Sequence, residues 1–160
     1  MNGATYYDAP QEADELCSIL TIREQVWGCI SEDMDMFVYG CPRVIRYISL
    51  LNHTAVIYDM KGILENLGVT QKELREICVL SGTDYNSLND NVRNSPTLYT
   101  TLKYFKKFHK DKNNTNDFYD WLLENTNYIR DSENLKKIYN IFDLSKGHVN
   151  IKVFENVKII

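Results

Sequence analysis

Long apolar runs are absent from this sequence of 160 residues. No stretch approaches the roughly 20 consecutive apolar residues that span a bilayer as a helix, so we expect no membrane partner. The first 15 residues contain neither a basic segment nor an apolar segment. This composition predicts that there is no secretory signal and that the protein is intracellular.

Cysteine and histidine are too sparse to suggest a common metal site or disulfide framework. The sequence has four cysteines and three histidines, with no Cys-x-x-Cys pair. Such spacings argue against a zinc site and against a disulfide scaffold. We expect free, buried thiols, and histidines with structural or surface roles. These residues are Cys17, Cys29, Cys41, Cys78, His53, His109 and His148.

Charge is distributed unevenly along the chain. The net charge is −4, but residues 1–92 carry −8 and residues 93–160 carry +4. An acidic half joined to a basic half fits a metal-binding site beside a phosphate-binding surface. It fits a chance unevenness of solvated surface charge equally well, so charge alone leaves both interpretations open.

Hydrophobic periodicity predicts a sheet with helices in the first half and helices in the second. A predicted strand ends near residue 8, and further predicted strands cover residues 26–31, 37–40 and 43–49. The predicted helices of this half cover residues 10–23, 59–67 and 70–80. Gly68 ends one helix, and Thr70 with Glu73 forms a capping box at the next. Pro96 opens a helix to about residue 110, two more cover 117–125 and 133–144, and residues 148–160 alternate like strands. This order predicts an α/β core with a parallel sheet and a helical extension.

Carboxylates stand where the predicted strands end. Glu12 and Asp14 begin a helix just after a strand, Asp33 and Asp35 follow an apolar strand, and Asp84 lies in a glycine-containing turn. Open α/β sheets place their sites at the carboxyl ends of strands and the adjoining helix starts. Converging carboxylates repel each other unless cations lie among them, and Mg²⁺ takes oxygen ligands of this kind.

The acidic residues also have ordinary structural explanations. Acidic side chains near a helix start offset the helix dipole, which is our interpretation of Glu15 and Glu24. An exposed turn after a strand would explain Asp33 and Asp35. Spacing alone therefore does not decide between a metal site and solvated charge.

Three blocks of sequence resemble a known nuclease family. They read YYDAPQEADELC, SEDMDMFVYG and ILENLGVTQKELREICVLSGTDY. Their order and spacing resemble the internal domain of flap endonucleases and xeroderma pigmentosum G-type 5′ nucleases. A weaker similarity continues through NYIRDSENLKKIYNIFDL. The resemblance is strong over residues 4–85 and faint over residues 86–145.

The resemblance implies a PIN-like 5′ nuclease fold, with an α/β parallel-sheet core that is incomplete at the N-terminus and a helical C-terminal extension. Residues 1–92 would form the internal nuclease domain and residues 93–160 the DNA-binding extension. The implied activity is magnesium-dependent hydrolysis of DNA in replication or repair, in the nucleus or cytoplasm. The expected partner is branched or nicked duplex DNA with a 5′ flap, and the expected cofactors are two Mg²⁺ ions that Mn²⁺ can replace.

Individual residues inherit roles from the matching motifs. Glu32 would have a supporting role at most, and Thr83 and Tyr85 would serve the turn and its packing. The residues implied as catalytic and metal-binding are Glu12, Asp14, Asp33, Asp35 and Asp84.

The sequence departs from the family in two places. The family's N-terminal region supplies further carboxylates, the first strands and a basic helical arch, and no such region precedes Met1. We therefore expect this chain alone to cleave DNA poorly and to need that region in cis or in trans. The family's glycine-rich helix-hairpin-helix corresponds to NSLNDNVRNSPTLYTTLKYFKKFHK, which has no glycine, so the backbone approaches phosphate less easily.

Lysines on the helix after Pro96 are the best candidates for DNA contacts. Spacings of three and four place them on one helix face, while Tyr104, Phe105 and Phe108 turn inward. An exposed lysine face is usually only solvated, but beside a nuclease site we expect it to bind phosphate. The four residues are Lys103, Lys106, Lys107 and Lys110.

Two other functions remain as alternatives. A non-catalytic DNA-junction-binding module could retain the fold, although the intact carboxylate set argues against it. A ribonuclease could use the related PIN-type scaffold, although the EDMD and GTDY blocks resemble the DNA-cleaving branch.

Overall fold

The computed structural model describes residues 8–9, 12–86, 96–111 and 116–146. These residues form a small three-stranded sheet with helices around it, followed by a helical second half, so the α/β prediction is confirmed. The strands are β1 (Cys29–Ile30), β2 (Arg43–Ser49) and β3 (Thr54–Asp59). The helices are α1 (Ala13–Ile22), α2 (Asp35–Tyr39), α3 (Met60–Leu67), α4 (Gln71–Ser81), α5 (Leu98–Lys110), α6 (Phe118–Asn125) and α7 (Ser132–Ile141).

The sheet is mixed rather than wholly parallel. Its order is β1-β2-β3, with Cys29 opposite Val44 in the parallel pair and Arg43 opposite Asp59 in the antiparallel pair. A parallel sheet was predicted, and the β1–β2 pair is parallel, whereas β3 and its hairpin were not predicted. The connecting residues 50–53 contain neither glycine nor proline, and the turn instead places His53 at φ 52°. The glycine or proline that usually marks a turn is therefore missing from this part of the sequence.

The predicted strand at residues 37–40 is wrong, because residues 37–39 belong to α2 and Gly40 is its C-cap. Gly40 ends that helix in the left-handed conformation, at φ 85°. The Gln71 amide donates to the carbonyls of Phe37 and Val38, at 3.0 and 3.1 Å. A distant side chain thus adds hydrogen bonds to two carbonyls at the end of a short helix. This tertiary contact favours a helical turn over an apolar strand.

The strand predicted at residues 26–31 is much shorter in the structure. Only Cys29 and Ile30 pair with β2, and Trp27 stands outside with 58% of its surface exposed. Arg43 Nε donates to the Trp27 carbonyl at 2.6 Å, so this backbone group bonds a side chain instead of a strand. Ile30 is 69% exposed, so the described residues cover β1 on one face only, against our expectation.

Several predicted helix boundaries are confirmed by their caps. Asp59 accepts from the Gly62 N–H at 2.9 Å at the start of α3, and Gly68 ends α3 at φ 66°. Thr70 and Glu73 form the predicted capping box of α4. Helix α5 begins two residues after Pro96, and α6 and α7 lie close to their predicted ranges. The strand predictions at residues 6–7 and 148–160 lie outside the described residues, as do residues 10 and 11 at the predicted start of α1.

One buried cluster joins elements from both halves of the chain. It includes Val38 of α2, Ile77 of α4, Phe105 of α5, Leu122 of α6 and Ile138 of α7. The two predicted domains therefore contribute to a common core, and a boundary at residue 92 stays a prediction.

Arg75 links this core to the chain beyond α7. Its Nη1 atom lies 3.3 Å from Asp143 Oδ1, and its Nε donates to the Val38 carbonyl at 3.4 Å. The Arg75 residue is 9% exposed, so the contact is largely removed from water.

All four cysteines are free, and Cys41 alone among them is fully buried. Within the described ranges, no helix is both long and apolar enough to cross a membrane.

Candidate active site

The five predicted carboxylates line a single cavity of about 290 Å³. They come from three separate segments: the start of α1, the β1–α2 loop with the first residue of α2, and a 3₁₀ turn after α4. Sequence separation between the outermost members is 72 positions, so only the fold brings them together. The residues lining the cavity are Glu12, Asp14, Asp33, Asp35, Asp84, Tyr39 and Tyr85.

Helix α1 places the first two carboxylates. Glu12 is its N-cap residue, in extended conformation, and Asp14 lies in its first turn. Leu16 and Ile19 of the same helix are buried in one hydrophobic cluster, which anchors α1 to the fold. The positive end of the helix dipole favours negative charge at this position.

A compact turn places Asp33 and Asp35. The Asp33 N–H donates to Ser31 Oγ at 3.1 Å, and the Asp35 N–H donates to Asp33 Oδ1 at 2.8 Å. Aspartate and serine side chains commonly bond the backbone two residues on in this way. The turn leads directly into α2.

Glu32 supports this loop from outside the cavity. Its carboxylate accepts from Arg46 Nε at 3.2 Å and from the Tyr47 N–H at 2.6 Å. Arg46 Nη2 also donates to the Glu32 carbonyl at 2.7 Å. Glu32 is thus tied to β2, in agreement with the supporting role expected for it. Arg46 is a positioning residue that the sequence analysis missed.

Asn86 closes the turn that carries Asp84. Its Oδ1 accepts from both the N–H and the hydroxyl of Thr83, the latter at 2.7 Å, and its Nδ2 donates to the Val79 carbonyl at 2.7 Å. Gly82 reaches φ 120°, a conformation that favours glycine, which explains the glycine of this turn. Thr83 serves the turn, as expected, whereas Asn86 was missed.

Two tyrosines form the aromatic wall of the cavity. The rings of Tyr39 and Tyr85 pack against Phe142, with centroids 4.9 and 5.6 Å away. Phe142 is completely buried and follows α7, so the second half of the chain supports the cavity. Tyr85 packs as expected, but the positions of Tyr39 and Phe142 had no sequence signal because they depend on tertiary contacts.

The carboxylates influence one another's protonation. The pKa of Asp35 is raised to about 6, first by burial and then by the charges of Asp33, Asp84 and Asp14, in that order. Burial also raises the pKa of Asp14, with added contributions from Asp33 and Glu12. Carboxylates from all three segments therefore repel one another electrostatically, and a bound cation would reduce this repulsion.

No complete metal-ligand set exists among the described residues, because no three His, Cys, Asp or Glu side chains there are arranged to hold an ion on their own. Open ligand sets are usual for Mg²⁺, which keeps several waters and binds through one or two carboxylates plus substrate phosphate. The five oxygen-donor side chains can supply that kind of partial coordination.

The four predicted lysines line a second depression, of about 340 Å³, on helix α5. Thr100 and Tyr104 complete its lining. Phe105 is buried and Phe108 packs against the same core, as predicted, whereas Tyr104 both packs against that core and lines the basic depression. The lining lysines are Lys103, Lys106, Lys107 and Lys110.

Aromatic rings orient two of these lysines. Lys103 Nζ lies 4.2 Å from the Tyr99 ring centroid, and Lys107 Nζ lies 5.3 Å from that of Tyr104. Among the ion pairs of the described residues, none involves the four lysines. Their charges are therefore available to an external anion.

Comparison with known proteins identifies the family. The sequence model described as XPG I-region matches residues 3–84, which is half of the chain. The chain belongs to the XPG I-region family. The match ends at Asp84 and covers the five carboxylates of the cavity.

Curated relatives of this XPG I-region chain are flap endonucleases. Flap endonuclease 1 of Methanocaldococcus jannaschii is 32% identical over 84 residues, which are 52% of this chain and 26% of that protein. Flap endonuclease 1 of Methanococcus aeolicus is 28% identical over 156 residues, covering 94% of this chain and 42% of that protein. The human flap endonuclease 1 is 31% identical over 86 residues, 52% of this chain and 23% of its own. The chain thus spans less than half the length of these relatives.

Two solved structures share the fold. Flap endonuclease-1 from Methanococcus jannaschii superposes with a TM-score of 0.56 at 20% identity, covering 88% of this chain and 54% of that one. The catalytic core of Rad2 in complex with DNA substrate gives 0.61 at 24% identity, covering 88% and 49%. The nuclease-core fold therefore extends beyond the matched I-region into the helical half.

Proposed function

We propose that this chain forms the acidic part of the catalytic core of a structure-specific 5′ nuclease that acts on branched DNA. The observation that carries the proposal is the cavity in which Glu12, Asp14, Asp33, Asp35 and Asp84 meet. Membership of the XPG I-region family supports it, as does the similarity to flap endonucleases. Two-metal catalysis, the 5′-flap preference and the need for further polypeptide are parts of the same proposal.

The donor set of the cavity fits hard divalent cations. All five charged donors are carboxylates, and the raised pKa of Asp35, at about 6, reflects burial among like charges. Asp14 and Glu12 would hold cations from the α1 side, and Asp33, Asp35 and Asp84 from the other two segments. When bound, paired Mg²⁺ or Mn²⁺ ions supply positive charge for the attacking and leaving oxygens of a phosphodiester.

The protein's own residues orient the reaction in this proposal. The hydrogen-bonded turn at Asp33 positions the carboxylates of Asp33 and Asp35 in the absence of substrate. The hydrogen bonds of Asn86 position the turn that carries Asp84. Tyr39 and Tyr85 form one wall of the cavity. Direct hydrolysis needs no serine or cysteine nucleophile, so water is the attacking group.

The lysine face of α5 would bind the phosphates of the duplex. Its four ammonium groups line one depression, and two are oriented by tyrosine rings. Each ammonium acts as a point charge toward phosphate, so the contacts would position DNA without reading its sequence. The Rad2 catalytic core, which shares the fold, was solved with a DNA substrate, in support of a DNA-binding role.

We further propose that full activity needs polypeptide beyond these 160 residues. The chain spans 26% and 42% of the two archaeal relatives. The further polypeptide could come from a longer chain or from a second one.

A cleavage assay on 5′-flap DNA tests the proposal. With Mg²⁺, the 160-residue chain should bind the flap substrate but cut it poorly, and supplying the N-terminal region of a flap endonuclease relative should raise cleavage. Asp84→Asn should abolish cutting in the completed enzyme yet preserve or tighten DNA binding, because it removes a negative charge near phosphate. Robust cutting by the chain alone would overturn the need for further polypeptide.

The same assay separates the two alternatives. Flap binding without cleavage, even after completion, would identify a non-catalytic DNA-junction-binding module. Preferential cleavage of an RNA substrate would identify a PIN-type ribonuclease. Either result would contradict the proposed activity.

A further inference from the structure

Strand β2 is irregular at Tyr47. The register with β3 shifts between Arg46 and Ser49, so that two residues of β2 lie opposite one residue of β3. This arrangement is a β-bulge, which re-aims side chains and is frequent beside active sites. Tyr47, inside the bulge, has φ 53°, a left-handed conformation that glycine adopts far more readily than tyrosine. Because strained residues of this kind concentrate at active and ligand-binding sites, Tyr47 is a candidate for a function.

The Tyr47 ring has one face on Arg46 and much of its surface in solvent. The Arg46 guanidinium carbon lies 5.0 Å from the ring centroid, within the range of a cation–π contact. Tyr47 is 55% exposed, whereas the Arg46 side chain is only 11% exposed. The ring is thus supported from one side by a largely buried cation and remains accessible to a second planar group.

The position of Tyr47 is connected to the carboxylate cavity. Its backbone N–H donates to Glu32 Oε1 at 2.6 Å, and Glu32 directly precedes Asp33 in the chain. Arg46 forms a 3.2 Å ion pair with the other oxygen of the same carboxylate and donates to the Glu32 carbonyl at 2.7 Å. Arg46 Nη1 also contacts Sδ of Met34 in the same loop. One arginine therefore holds both the Tyr47 ring and the loop that carries Asp33.

We propose that Tyr47, supported by Arg46, is a stacking platform for an unpaired nucleobase of a DNA substrate. Every base has a flat π-face, so stacking on an aromatic ring holds single-stranded nucleic acid with little dependence on sequence. Since Arg46 already orders the ring, the binding of a base costs little side-chain freedom. The platform differs in chemistry from the lysine face of α5, which offers charge to phosphates.

The platform would bind the single-stranded part of a branched substrate. The bases of a duplex are stacked on one another, whereas a flap presents bases that are free to stack on protein. A base on Tyr47 would bring a neighbouring phosphodiester toward the loop that carries Asp33, because Glu32 and Arg46 join the two. This role in cleavage rests on the proposed function, whereas the stacking does not.

Binding of two flap substrates by the 160-residue protein in a chelator tests the inference. One substrate has normal unpaired nucleotides, and in the other those nucleotides are abasic. Wild type should bind the normal flap more tightly, by about 5-fold to 150-fold for one stacked base. Tyr47→Leu should weaken only the binding of the normal flap and so remove the difference, whereas Tyr47→Phe should retain it. Leu51→Ala, which shortens an 89% exposed side chain of the same hairpin, is the control and should also retain it.

A second variant separates stacking from a structural role. Asparagine enters the left-handed conformation more readily than tyrosine does, so Tyr47→Asn should unfold at the same temperature as wild type or at a higher one. It should nevertheless lose the preference for the normal flap. A preference that survives in both Tyr47→Leu and Tyr47→Asn would overturn the inference, as would an equal loss of affinity for the two flaps.

The remaining outcomes keep the inference apart from the proposed function. A Tyr47-dependent preference for the normal flap, in a protein that does not cut DNA even after completion, would establish the stacking site and contradict the nuclease activity. Cleavage by the completed enzyme, together with equal wild-type binding of the two flaps, would support the nuclease activity and overturn the stacking site. A preference that occurs with an RNA flap alone, or no flap binding at all, would also overturn it.

Discussion

The backbone N–H of Asp35 donates a hydrogen bond of 2.8 Å to Oδ1 of Asp33. Asp33 thus has two separable roles, as an acceptor that shapes the turn and as a charge that raises the pKa of Asp14 and Asp35. Asparagine keeps the acceptor and loses the charge, whereas alanine loses both.

This separation gives the first prediction. Without divalent metal, Asp33→Asn should be at least as stable as wild type, because like-charge repulsion is relieved. Asp33→Ala should lose about 1 kcal/mol of unfolding free energy, the usual net contribution of one hydrogen bond. Thermal unfolding in a chelator measures both. Equal stability of the two variants would show that the hydrogen bond does not maintain the turn.

The second prediction concerns the lysine face. Replacing Lys106 and Lys107 with glutamine should flatten the salt dependence of duplex binding by about one to two units, since each lost phosphate contact removes about one. Lys136→Gln with Lys137→Gln, an equal charge change on α7, is the control and should leave the slope nearly intact. The measurement is duplex affinity across a salt series. A wild-type slope in the α5 variant would mean that DNA is bound elsewhere.

The third prediction concerns the hydrogen bonds that Asn86 makes within the turn of Asp84. Asn86→Ala removes the contacts to Thr83 and Val79 and should lower the unfolding free energy by about 1–3 kcal/mol. It should also weaken Mn²⁺ binding by about tenfold, the usual size of an indirect effect on a metal site. Asn66→Ala removes an exposed 2.7 Å hydrogen bond to the Gly62 carbonyl and should do neither. If the folded Asn86→Ala variant kept the wild-type Mn²⁺ affinity, the hydrogen bonds of Asn86 would not be what positions Asp84.

The fourth prediction is a pH dependence of stability that arises at Glu76. Its pKa is raised to about 7, chiefly by burial, and this value includes an opposing effect of Lys72 at 4.0 Å. A carboxyl group whose pKa is higher in the folded state favours folding while protonated. Its contribution therefore declines as pH rises from about 4.5 to about 7 and is constant above that.

Glu76→Gln should remove this decline. At pH above 7 the variant should be more stable than wild type by an amount on the order of 1–3 kcal/mol, and near pH 4 the two should be similar. Glu65→Gln, on the exposed face of α3, is the matched control. The measurement is denaturant unfolding across the pH range. Parallel curves for Glu76→Gln and wild type would contradict the assignment.

Local chemistry made much of the fold predictable. The capping box of Thr70 and Glu73 and the left-handed Gly68 are encoded within a few residues, and both occur as expected. The spacing of the lysines on α5 was sufficient to place them on one face. These features depend on helix geometry and little on distant contacts.

Features that depend on distant contacts were missed. Residues 37–40 resemble a strand, and they form the end of a helix because Gln71, more than 30 positions away, bonds their carbonyls. The Phe142 support of Tyr39 and Tyr85 also joins remote segments. The carboxylates themselves were found through motif resemblance, since their spacing alone fitted a solvated turn equally well.

Calorimetric titration with Mn²⁺ tests the central claim most directly, because it asks whether the five carboxylates bind metal. Wild type should bind Mn²⁺, and Asp33→Ala and Asp35→Ala should each weaken binding by at least about tenfold. Asp120→Ala, an exposed aspartate on α6, should bind as wild type does. Mn²⁺ binding that is unchanged in both Asp33→Ala and Asp35→Ala would contradict the account, because the cavity would then not be the metal site.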